Sequence, residues 1–141
     1  MIASTSSLNA TDIKLNQSYR PMNSLTLKQK SIIHNCLLDL KDSSSLNNSS
    51  FLPIALDKLI ASEGFGIEMS GVFISTDEDL ENIPEYLKEG IAFEFMGEHV
   101  VLSFSDGVSA ISNWCDNNAM SDRESILLKC EILKAKFSTE D

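Results

Sequence analysis

Basic residues are scarce in this chain: 11 Lys+Arg stand against 21 Asp+Glu, for a formal charge of −10. That balance argues against a protein that grips phosphate backbones by charge, and it makes any charge-selected partner cationic. Long apolar runs are missing as well. No stretch reaches the roughly 18 apolar residues of a membrane span, and the N-terminus has neither a Lys/Arg start nor an apolar h-region. Neither a membrane partner nor a secretory signal is expected, and the reading places the protein in the cytoplasm. The three cysteines, Cys36, Cys115 and Cys130, are odd in number, far apart and set among apolar neighbours. Buried thiols are expected there, not a bridge or a metal cluster.

Catalytic signatures are absent too. The only histidines are His34 and His99, with no motif around either and no Gly-x-Ser-x-Gly elbow to pair with them. His34 reads as a helix-surface residue and His99 as a strand residue near a turn. Gly64, Gly66 and Gly71 crowd one region, but without a strand-to-helix unit they read as turn and backbone-clearance glycines, not a phosphate cradle. Glu98-His99 and Cys115-Asp116 are adjacent pairs without further ligands at metal-binding spacing. Asp77 and Asp79 lack the rest of a calcium loop. No catalytic residue, metal or cofactor is therefore expected.

What is present is the material of one domain: 141 residues, 43% of them hydrophobic. Residues 1–24, rich in Ser, Thr and Asn, read as a loosely ordered tail with a short strand near Ile13 to Leu15, and residues 25–141 as a single α+β domain. Thr26 and Gln29 form a capping box for a helix from about Leu27 to Lys41. Asp42 to Ser50 is a polar linker, and a second helix spans about Leu52 to Ser62 with Leu52, Ala55, Leu56, Leu59 and Ile60 on one face. From Phe65 the period becomes two, which predicts an antiparallel sheet of about four strands. Its last pair, Ile91–Met96 and His99–Phe104, turns through Gly97-Glu98 as a type II′ hairpin. Ser105 and Asp106 are expected to cap a third helix with Val108, Ile111, Trp114 and Cys115, which the stretch from Asp116 to Met120 breaks. Ser121 and Glu124 are expected to box a last helix with Leu127, Cys130, Leu133 and Phe137 on one stripe. Segregated elements of this kind argue α+β over a doubly wound fold.

The acids are not spread evenly. Residues 1–62 hold 4 acids and 6 bases, residues 99–141 hold 7 acids and 4 bases, and residues 63–98 hold 10 acids against Lys88 alone. Acids without local counter-ions repel one another, and a basic partner would relieve that repulsion. Asp77, Glu78, Asp79, Glu81, Glu85 and Glu89 fall in one connection between strands, interleaved with Ile83, Pro84, Tyr86 and Leu87; Glu94 and Glu98 follow on the next hairpin. With Tyr86, these eight carboxylates are the candidate partner-binding residues. Tyr86 reads equally as an interface hot spot and as a pin holding the loop to the core.

Phe51-Leu52 with Leu56, the turn Gly64-Phe65-Gly66, Gly71 with Val72-Phe73, the acidic stretch ending in Gly90-Ile91-Ala92-Phe93, the run Glu98-His99-Val100-Val101-Leu102-Ser103 and two closing helices make up a recognisable pattern. From about Phe51 to Phe137 the chain resembles the immunity proteins of bacterial contact-dependent growth inhibition systems, particularly those paired with ribonuclease toxins. The resemblance implies a non-enzymatic inhibitor, monomeric in its complex, that binds a cognate toxin nuclease domain and occludes its basic RNA-binding cleft. The alternative reading is an acidic secretion chaperone, a small and usually dimeric α+β protein that holds an effector unfolded and generally needs a helix between strands and a broad apolar patch.

Overall fold

Thr26 starts the first helix as its box motif requires: its hydroxyl accepts the Gln29 N–H at 3.1 Å, and the Gln29 side chain accepts the Thr26 N–H at 2.9 Å. The helix that follows, α1 (Leu27–Asp42), buries Ile32, Ile33, Cys36, Leu37 and Leu40 on one face. Ser50 caps α2 (Phe51–Ile60) by accepting the Leu52 N–H at 3.2 Å. Its own hydroxyl donates to the Leu40 carbonyl, so one side chain joins the end of α1 to the start of α2. These elements come from a computed structural model that describes residues 24–43, 50–118 and 122–137. The expected strand at Ile13 to Leu15, most of the tail and of the polar linker, and the Ser121 cap lie outside those residues.

Four strands follow: β1 (Phe65–Gly66), β2 (Ser70–Ile74), β3 (Ile91–Phe95) and β4 (Glu98–Leu102). They form one antiparallel meander in chain order. The chain is thus an α+β protein, with two helices before the sheet and two after it, α3 (Phe104–Asn118) and α4 (Arg123–Phe137). Strand alternation puts Val72, Ile74, Ile91, Phe93, Val100 and Leu102 on the face that meets the helices. Phe93 and Leu102 are fully buried there with Leu37, Leu56, Ile111 and Leu133, each such side chain contributing about 1.5–3 kcal/mol of burial free energy. All three cysteines are buried free thiols. Burial pushes the Cys36 thiol up to about 12, which leaves it protonated, donating to the Gly71 carbonyl at 3.3 Å.

The opposite face carries Gly71, Phe73, Ala92, Glu94, His99 and Val101. Here the glycine cluster serves as backbone clearance. A β-carbon on Gly71 would stand 2.6 Å from the Phe73 ring, and one on Gly64 would stand 2.9 Å from it, so the ring lies over bare backbone.

Four local expectations need correction. The β3–β4 turn is Met96-Gly97, with Phe95 paired to Glu98, and both turn residues have positive φ, 52° and 85°. That is the I′ pattern, whose twist suits the strands, and not II′ through Gly97-Glu98. The observed register, with Ile91 opposite Leu102 and Phe95 opposite Glu98, leaves Met96 and Gly97 as the two loop residues. The start of α3 is capped by Ser103, whose hydroxyl accepts the Asp106 N–H at 3.1 Å, and not by Ser105 or Asp106. The helix also runs on through Asp116, Asn117 and Asn118. In α4 the buried stripe is Ile126, Cys130, Leu133 and Phe137, with Leu127 half-buried. Spacings of four, three and four stay on one helical face, whereas two successive threes drift off it.

Candidate functional site: an ordered acidic connection

Sixteen residues, 75–90, join β2 to β3, and they fold back over the sheet face that the helices leave uncovered. The neck of this loop is closed by one residue pair: Ser75 N–H donates to the Gly90 carbonyl at 3.1 Å, and Gly90 N–H donates to the Ser75 hydroxyl at 3.0 Å. Ends held together and a body packed by its own side chains describe an Ω-type loop. Leu87 is buried with Ala92 and Val101, and Phe73, Ile83 and Tyr86 pack around them.

Asp77 departs from the expected exposed position. It is only 5% exposed, accepting N–H groups from Gly64 and Asp79, each at 2.8 Å. Burial alone would raise its pKa, but these bonds and one from the Asn82 side chain outweigh it and hold the carboxyl below the ordinary aspartate value. Asp79 in turn accepts the Glu81 N–H at 3.1 Å and caps a 3₁₀ turn at Leu80–Asn82.

Tyr86 is where the two readings of the loop meet. Its hydroxyl donates to the Glu94 carboxylate at 2.6 Å, and its ring lies flat on His99, with centroids 3.6 Å apart and planes 12° apart. Burial, then the Glu94 bond, push the phenol well above its usual range. Tyr86 and Glu94 therefore pin the loop to the sheet. Glu98, at the exposed end of β4, pairs with Lys28 at 2.7 Å.

The remaining candidates point outward. Glu78, Asp79, Glu81, Glu85 and Glu89 are exposed, and among the described residues none has a cation within 4 Å. Between them stands Leu80, 77% exposed. Sequence reasoning passed over Leu80, because an isolated leucine among acids carries no periodic signal. It also could not bring Ala61, Ser62, Glu63 and Lys136 beside Thr76–Asp79 and Asn82, where together they line an open cleft of about 690 Å³. Lys136 closes one side of that cleft, donating to the Ile60 carbonyl.

No group of three or more His, Cys, Asp or Glu side chains among the described residues is placed to hold a metal ion. His34 Nδ1 accepts the indole N–H of Trp114 at 2.9 Å, and His99 is occupied by its stack on Tyr86. No helix of the described residues is long and apolar enough to cross a membrane. The fold and this face together define an α+β domain with a hydrogen-bonded, anionic loop laid across one side of its sheet. Comparison with protein-family models, curated proteins and solved structures finds no match for the chain.

Proposed function

We propose that the protein is an immunity-type inhibitor that binds a cognate toxin nuclease domain, a ribonuclease in the first instance, in the cytoplasm and covers its basic RNA-binding surface. The observation that carries this reading is the set of five exposed carboxylates, Glu78, Asp79, Glu81, Glu85 and Glu89, none in an ion pair among the described residues, on a loop whose neck, first turn and Tyr86 are all hydrogen-bonded. Preorganised anionic groups meet Lys and Arg without first paying to order a flexible segment, and they steer association over a distance set by ionic strength. Leu80 supplies an apolar contact at the centre of the same turn. The sequence resemblance to growth-inhibition immunity proteins supports the same assignment. On this reading the protein performs no catalysis, needs no cofactor and binds no nucleic acid, and one chain engages one toxin domain.

A chaperone role has less support, because the β2–β3 connection holds one 3₁₀ turn where a helix would be needed, and α3 and α4 both follow the last strand. Co-expression with the product of the adjacent upstream reading frame, followed by co-purification and an RNA-cleavage assay, tests the proposal. The expected result is a complex of equal stoichiometry in which cleavage stops. Cleavage that continues under a saturating excess of this protein overturns it.

A further inference from the structure

The last helix carries a second, partly apolar stripe besides the one that packs into the core of the described residues. Ile126, Cys130, Leu133 and Phe137 face the core. On the other side Ser125, Leu128, Ile132 and Ala135 recur at spacings of three, four and three, with Leu128 62% and Ile132 44% exposed. This is the a–d alternation of a coiled-coil seam. One flank of the seam holds Glu124 and Glu131, seven residues apart, and the other holds Lys129 and Lys136, also seven apart.

The flanks decide what fits. In a parallel pair of helices, a residue on the g flank meets the e flank of the other helix five positions further on. Glu124 then faces Lys129 of the partner copy, and Glu131 faces Lys136 of the partner copy, so every flanking contact joins opposite charges. In an antiparallel pair like flanks meet, glutamate against glutamate and lysine against lysine. We propose that the outer face of α4 is a homodimer seam on which a second copy of this chain packs its own α4 in parallel.

The lysines already have partners within the chain, Lys129 on Asp57 at 2.7 Å and Lys136 on the Ile60 carbonyl. An ammonium has three donors, so each can bridge its own chain and the partner's glutamate. The overall charge of −10 does not oppose the contact locally, since residues 123–137 hold four bases and two acids. Serine at one seam position, alanine at another and a length of two heptads make this a small interface, so the dimer is weak and concentration-dependent. It replaces the expected monomer with two chains. The exposed Glu81, Glu85 and Glu89 lie outside the cleft that Lys136 lines with Thr76–Asp79, and the inference rests on the outer stripe of α4 and not on the proposed function.

Sedimentation velocity of the full chain tests it. In a concentration series that reaches Kd values from about 1 μM to 1 mM, the mass should rise from 15.6 kDa toward twice that value. Leu128→Lys, a change at an exposed site, should stay monomeric throughout while keeping its thermal transition. Two charge-changed chains give the sharper measurement. Glu124→Lys with Glu131→Lys, and Lys129→Glu with Lys136→Glu, should each lose self-association by at least about tenfold. Mixed together they should associate at least as well as wild type, since all flanking contacts are again opposite in sign. A mass that stays at the monomer value at all concentrations overturns the proposal, as does a dimer insensitive to Leu128→Lys or a mixture that fails to associate.

Discussion

The Asp77 carboxylate accepts the Gly64 N–H at 2.8 Å and thereby ties the corner between α2 and β1 to the first turn of the acidic connection, 13 residues further along. Replacing it by Asn keeps the shape but offers an amide where two backbone donors and the Asn82 side chain now converge. Asp77→Asn should cost about 1–3 kcal/mol at pH 7 through weakened buried hydrogen bonds. The pH dependence has a definite sign. A carboxyl held below its unfolded pKa adds stability that is full above the unfolded value, near 3.9, and is lost as pH falls through the lower folded value. Urea unfolding from pH 7 downward should show the wild type losing more stability than Asp77→Asn below about pH 4. Parallel pH curves for the two proteins would contradict the linchpin role.

Tyr86 holds the other end of the loop. Tyr86→Phe keeps the stack on His99 and removes the hydroxyl that Glu94 accepts at 2.6 Å. The site is half-exposed, so the cost should sit near the low end for a bond to a charged group, about 1.5 kcal/mol. Amide hydrogen exchange should quicken in residues 75–90 while the buried strands keep their protection. Equal acceleration throughout the sheet would mean that Tyr86 supports the core and not the loop.

Met96 occupies the first position of a I′ turn at φ 52°, a left-handed conformation that Asn tolerates better, and its side chain is 60% exposed. Met96→Asn should therefore stabilise the hairpin by about 0.5–1 kcal/mol, raising Tm by roughly 2–6 °C. A lower Tm would show that the methionine side chain contributes packing that outweighs the strain.

The features that were legible in the sequence are those whose signals are local. Thr26 with Gln29, the apolar spacing of Leu52, Leu56 and Leu59, and the alternation through Ile91 and Phe93 each specify an element within a few residues, and all three appear. The hairpin turn lies one residue earlier than expected because Gly97 suits either turn type, and the pairing of Phe95 with Glu98 decides between them. Asp77 looked like one acid among six in the loop, since its partner Gly64 lies in a different element. Lys136 in the acidic cleft and the His34–Trp114 bond were invisible for the same reason. In α4 both stripes were written in the sequence, but the core claims one of them and only packing shows which stays outside.

The last prediction separates the anionic surface from the fold. Glu78, Glu81, Glu85 and Glu89 are exposed, without ion pairs among the described residues, and none of their side chains holds the loop in place, whereas Asp77 does. Reversing these four to Lys should leave the thermal transition within about 1 kcal/mol of wild type, as surface changes usually do. Leu133→Ala in the buried stripe of α4 should by contrast cost about 2–5 kcal/mol. Binding should respond in the opposite order. Each reversed carboxylate would set a like charge against a basic partner, so the association rate should drop at low salt and rise, where the wild-type rate falls, as salt is added, while Leu133→Ala should bind normally wherever it is folded. Association kinetics from about 0.05 to 0.5 M salt check this. A charge-reversed protein that neutralises the nuclease at wild-type potency would remove the acidic loop from the interface and shift attention to Glu98 and the β3–β4 hairpin.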